Sequence, residues 1–236
     1  MKPYNKLISI LLLAMSWQIQ AADRALIVGI TEYKNIKNLK GIGYDVGMAG
    51  KIAEMLAFDP SQIKVLTGKQ ATKSNIKNAF ATWLKEGVSR NDRIFFYFSG
   101  HGGRVADKNG DESDGQDEFI TTYDITGSVK DGGYIIDDDL SLWLSNIESQ
   151  HKIVMLDSCN SGTATKSLAI AKMGNLKLYS KLLNLTDNPH SFSSSKNLSD
   201  EKGNFIEGAQ HQITLSAARD FEEAQATDAG SLFTLG

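Results

Sequence analysis

The chain contains a single cysteine, Cys159, among 236 residues. A lone cysteine forms no internal disulfide, so no disulfide framework staples this fold. Histidine is scarce as well: the four residues His101, His151, His190 and His211 are too dispersed to read as a zinc site. Basic charge is not in excess. Lys and Arg total 25 against 28 Asp and Glu, a formal net charge of -3, which provides no attractive field for nucleic acid. No internal repeat is visible, and no apolar run reaches the ~20 residues that span a bilayer.

What is present describes one globular domain. At 236 residues, with 41% hydrophobic and 22% charged residues, the chain can bury a substantial core but is short for two ordinary domains and a linker. Lys2 and Lys6 precede an apolar run over residues 7–17, and Ala21-Ala22 stand just before Asp23. That order predicts a signal peptide over 1–21 and a mature domain over 22–236, periplasmic or secreted, with no stable membrane association after cleavage.

Arg24-Ala25-Leu26-Ile27-Val28-Gly29-Ile30 is a nearly continuous apolar run ending near glycine, the pattern of a strand buried on both faces. Apolar residues at helical spacing predict a helix over 45–58 that Asp45 could cap, and another over 73–87. Short strands are expected at 63–66, 93–98, 152–156 and 212–216, with a third helix over 138–147. Strands alternating with helices at this spacing predict an α/β fold, a mostly parallel sheet with helices on both faces. Residues 166–205 are rich in Ser, Asn and Lys and read as a mobile loop between a large part, about 22–165, and a small part that starts near 206 and is truncated at 236.

Two chemistry-bearing turns follow predicted strands. His101 lies in Ser99-Gly100-His101-Gly102-Gly103, and Cys159 in Asp157-Ser158-Cys159-Asn160-Ser161-Gly162. Ligands of such sheets bind at the carboxyl ends of the strands. A thiol whose proton is accepted by an imidazole is a nucleophile at neutral pH, and the resulting imidazolium can protonate a leaving amine. The backbone N–H groups of Gly102 and Cys159 are natural oxyanion donors.

These runs, with Gly43-Tyr44-Asp45-Val46, the acidic stretch 107–118, Ile136-Asp137-Asp138-Asp139-Leu140 and Leu215-Ser216-Ala217-Ala218, resemble the metacaspases and related bacterial caspase-like peptidases. The resemblance implies a caspase-like three-layer sandwich and a cysteine endopeptidase using Cys159 and His101, acting on protein or peptide substrates as a monomer, with no cofactor in the chemistry itself. The animal caspase signature Q-A-C-R-G is absent. In its place Asp157 precedes the nucleophile by two residues, and Asp45 lies on the early loop. Two carboxylates in one pocket attract Lys or Arg, each pair gaining on the order of 4 kcal/mol at 4 Å before desolvation. Cleavage after basic residues is therefore expected, and the resemblance implies the same pocket with Ser99 contributing.

Six carboxylates lie between Asp107 and Glu118 against one lysine, Lys108. Glu112 stands where an EF-hand requires glycine, so the stretch is no EF-hand, and a solvated hairpin tip is the plain reading. The resemblance implies calcium as an activator, with Asp117, Asp137 and Asp138 as the matching ligands; Lys166 stands where the family has a further ligand. Lys166, Lys172, Lys177, Lys181 and Lys196 are candidate self-cleavage sites in the long loop. Two other readings stay open: a caspase-fold binding module without activity, and an acyl hydrolase or transferase using the same dyad without basic preference.

Overall fold

The structure is a computed structural model that describes residues 22–110, 112, 115–128, 130, 132–158, 179–181, 212–216 and 225–235. The expected signal peptide, Cys159 and all of the expected loop except 179–181 lie outside these residues.

The chain enters through β1 (Arg24–Gly29), whose last five residues are all buried. It turns into α1 (Ile42–Met55), then β2 (Ile63–Thr67), α2 (Lys73–Ala81) and β3 (Arg93–Ser99). An antiparallel sheet follows, built of β4 (Gly102–Ala106), β5 (Gln116–Thr121) and β6 (Tyr134–Ile136). Then come α3 (Asp137–Ser145), β7 (His151–Asp157), β8 (Tyr179–Ser180) and β9 (Gln212–Ser216). The last described elements are β10 (Gln225–Thr227), β11 (Gly230–Ser231) and α4 (Leu232–Leu235).

The main sheet is parallel throughout, in the order β2-β1-β3-β7-β9. Its central strand explains the layers. Phe95 and Tyr97 point to the face packed by Ala49, Ala53 and Phe58, the α1 side. Phe96 and Phe98 point the other way, against Ile76 and Phe80 of α2 and Leu140 and Leu144 of α3. Alternation along one strand thus feeds two cores, and the expectation of helices on both faces of a mostly parallel sheet holds.

Three local expectations need correction. Asp45 does not cap α1: the helix begins three residues earlier, after Gly41 in the left-handed region at φ 81°, and Asp45 lies buried in its first turn. A Cβ on Gly41 would stand 2.0 Å from the carbonyl oxygen of Thr227, so glycine is what lets the β10–β11 turn close on the start of α1. Helix α2 stops at Ala81, short of 87; Thr82 turns its hydroxyl back to the Asn78 carbonyl, and Gly87 takes φ 74°. Leu84 still reaches the core from the turn that follows. Finally, the β4–β5–β6 sheet has no counterpart in the strands expected from sequence. The acidic stretch does straddle a hairpin tip: Asp107 accepts N–H bonds from Asn109, Gly110 and Glu112 and so shapes the turn between β4 and β5.

Candidate active site

Strands β3 and β7 are neighbours, with Ser99 paired to Asp157 at their carboxyl ends. That register brings the glycine-flanked turn of His101 and the turn entering Cys159 to one edge of the sheet. Cys159 itself lies outside the described residues.

His101 is buried and held from several sides. Its N–H donates to the Tyr33 hydroxyl at 2.8 Å, and the two rings lie 5.1 Å apart. Its carbonyl accepts from the N–H and the hydroxyl of Thr121. Gly100, just before it, has no room for a Cβ, which would meet Tyr33 Oη and Phe98 at 2.8 Å. The ring nitrogens each face a carbonyl oxygen: Nε2 stands 2.9 Å from Lys37 O, and Nδ1 stands 2.8 Å from Lys181 O. A neutral ring can donate at only one of them, whereas an imidazolium donates at both. Burial pushes the His101 pKa below its usual value, opposed by these two carbonyl contacts and reinforced by the charges of Lys181 and Lys37.

The same Lys181 carbonyl accepts the N–H of Gly102 at 3.1 Å. One carbonyl oxygen therefore meets both the expected oxyanion donor and the expected acid–base side chain.

The side chain of Lys181 runs into a pocket walled by Asp45, Asp157 and Ser99, all fully buried. Its ammonium lies 2.6 Å from Asp157 Oδ1 and 3.5 Å from Asp45 Oδ2. It also donates to Ser99 Oγ at 2.9 Å and to the Asp157 carbonyl at 3.0 Å. Ser99 in turn donates to Asp45 Oδ2 at 2.8 Å. The three expected substrate-binding residues are thus assembled around a lysine ammonium. Burial raises the Asp157 pKa and the Asp45 charge adds to that, while the Lys181 ammonium and a hydrogen bond from Ser231 pull it down.

Several residues of this site carried no sequence signal. Tyr97 reaches Asp157 Oδ2 from β3 at 3.3 Å. Ser231 donates through its hydroxyl to Asp157 Oδ1 and through its N–H to Asp45 Oδ1, and the Thr234 hydroxyl also donates to Asp45 Oδ1. Tyr33 and the Lys37 carbonyl brace the histidine. Hydroxyl-bearing residues such as these are common throughout a sequence, and only a known register would have singled them out.

Among the expected metal ligands, Asp117 on β5 and Asp137 at the start of α3 are buried. Burial pushes the Asp137 carboxyl up to about 7, with the charges of Asp138, Glu112 and Asp117 adding to the shift. Its Oδ1 is buried without a partner among the described residues. Asp138 accepts from the Asn109 side-chain amide at 2.7 Å. Among the described residues, no three His, Cys, Asp or Glu side chains converge as a metal site. His151, at the start of β7, is exposed, as an ordinary edge histidine would be. No described helix is long and apolar enough to cross a membrane.

Comparison with known proteins adds the family. Metacaspase-1 of Pyricularia oryzae is 35% identical over 156 residues, which cover 62% of this chain and 38% of the relative. Metacaspase-1B of Aspergillus oryzae is 35% identical over 150 residues, 60% of this chain and 35% of that protein. The chain thus spans little more than a third of the length of these relatives. Among solved structures, protein GSU0716 from Geobacter sulfurreducens aligns at TM-score 0.62 and 20% identity, covering 90% of this chain and 78% of the other, a likeness of fold. The family model described as metacaspase, peptidase C14 domain, matches residues 23–168, more than half of the 236, and on that match the chain belongs to the metacaspase family.

Proposed function

We propose that this chain is a cysteine endopeptidase that cleaves after Lys or Arg. The observation that carries this reading is the seating of Lys181, whose ammonium lies between Asp157 and Asp45 while its carbonyl oxygen meets the Gly102 N–H and His101 Nδ1. That is the arrangement a substrate needs on the carboxyl side of its basic residue. In this reading the Cys159 thiolate attacks the carbonyl carbon, and the oxygen takes up negative charge against the Gly102 N–H. His101, braced at Nε2 by the Lys37 carbonyl, delivers a proton from Nδ1 to the leaving amine as the C–N bond breaks. Water then hydrolyses the thioester and restores the thiol.

Two features support strand-like substrate binding and self-processing. Tyr179 and Ser180, the residues before Lys181, pair antiparallel with Ala226 and Gln225 of β10. A peptide laid there is recognised through its backbone, with the pocket reading alternate side chains. Lys181, the candidate lysine among the described residues, lies inside the pocket, so the bond between Lys181 and Leu182 is the self-cleavage bond of this reading.

Calcium belongs to the proposal as an activator. The donors are hard carboxylate oxygens of the type calcium takes, and Asp137 has a buried oxygen without a partner among the described residues. Asp117, Asp137 and Asp138 would hold the ion, which would neutralise their mutual repulsion. Export to the periplasm or medium is likewise proposed from the N-terminal residues, and N-terminal sequencing of the exported protein tests it.

The deciding assay is hydrolysis of fluorogenic peptides ending in Lys, Arg or Asp, with and without calcium, beside Cys159→Ala. Turnover of Lys and Arg peptides that disappears in the variant is expected. A folded wild-type chain that turns over none of them would refute the enzyme and favour a binding module.

A further inference from the structure

The acidic pocket holds two carboxylates side by side with little solvent, an arrangement that favours protonation of one unless donors stabilise both anions. Besides Ser99, Tyr97 and the Lys181 ammonium, three donors come from residues 231 and 234, beyond the span that the family model matches. Asp45 Oδ1 receives the Ser231 N–H at 2.6 Å and the Thr234 hydroxyl at 2.6 Å. The Thr234 hydroxyl has one proton, and the Ser231 carbonyl at 3.1 Å is its longer, uncharged alternative, so the proton goes to Asp45. Ser231 Oγ accepts from Phe233 N at 3.1 Å and is left to donate to Asp157 Oδ1 at 2.8 Å. Two donors on Oδ1 orient the Asp45 carboxylate so that Oδ2 faces Ser99 and the bound ammonium.

Resting on the proposed basic specificity, we infer that Ser231 and Thr234 are positioning residues for it: they hold the carboxylates of Asp45 and Asp157 turned towards the cation of the substrate. The contact joins positions 186 residues apart in sequence. It depends on the close approach at Gly41 described above, because that approach carries the β10–β11 turn onto the first turn of α1.

The test compares kcat/KM for two capped peptide coumarin amides that differ only in the terminal residue, lysine or norleucine, in the full chain. Norleucine keeps the aliphatic stem and lacks the ammonium. Both substrates meet the same folded fraction, so their ratio is insensitive to partial unfolding. Thr234→Val should lower the lysine-to-norleucine ratio about tenfold, the effect of losing one hydrogen bond to a charged group. Thr234→Ser, which keeps the hydroxyl, should keep the wild-type ratio. Ser231→Ala is read in the same way should Thr234→Val fail to fold. A wild-type ratio retained in Thr234→Val and in Ser231→Ala, while Asp45→Asn collapses it, would overturn the positioning role and leave the basic pocket standing. A wild-type ratio near one would overturn the basic pocket itself, and this role with it.

Discussion

Replacing Lys181 by Met, in a Cys159→Ala background that prevents cleavage, keeps the length of the side chain and removes its ammonium. In the native chain that ammonium is fully buried 2.6 Å from Asp157 and 3.5 Å from Asp45. Removing one partner of a buried ion pair typically costs about 3–5 kcal/mol, because the remaining charge stays desolvated. For a domain of this size that corresponds to a Tm lower by roughly 6–20 °C. The pH dependence has a definite sign. Burial already raises the Asp157 pKa above its unfolded value, and losing the Lys181 charge raises it further. A carboxyl with a raised folded pKa contributes stability that is present below its unfolded pKa and lost as pH rises through the folded one. Thermal unfolding followed by circular dichroism should therefore show a large loss at pH 7.5 that shrinks at pH 5, where protonation relieves Asp157. A Tm within ~2 °C of the parent at pH 7.5, or an equal loss at both pH values, would refute the idea that Lys181 balances these carboxylates.

Tyr33→Phe removes the acceptor of the His101 N–H and should cost about 1–3 kcal/mol, the penalty of an unsatisfied buried donor, measured by urea denaturation; it should also lower kcat more than it raises KM. Phe96→Ala empties a fully buried position packed edge-on against Phe80 at 5.0 Å, and a loss of about 3–5 kcal/mol is expected in the same assay. Asp137, pushed up to about 7, destabilises the fold progressively as pH rises from about 4 to 7. Asp137→Asn should therefore raise Tm at pH 8 and change it little near pH 4. Calcium at pH 8 should raise the wild-type Tm and leave Asp137→Asn unmoved; the reverse would remove calcium from this site.

The parallel sheet was legible because its strands are buried on both faces and so read as unbroken apolar runs, as in Ala25 to Gly29 and Ile94 to Phe98. The sequence alone also determined that His101 follows such a strand, and that Asp157 and Ser158 lead from another into the single cysteine. These are local facts of composition and order. It did not determine what Asp45 does. By sequence Asp45 reads both as a helix cap and as a pocket carboxylate, and the contact with Ser99, 54 positions away, puts it in the pocket wall. Nor could the sequence seat Lys181 between Asp45 and Asp157, or find Ser231 and Thr234. Which buried charge meets which donor depends on strand register and on how far α1 is rotated over the sheet. Both are fixed by packing between segments distant in sequence, and no local pattern encodes them.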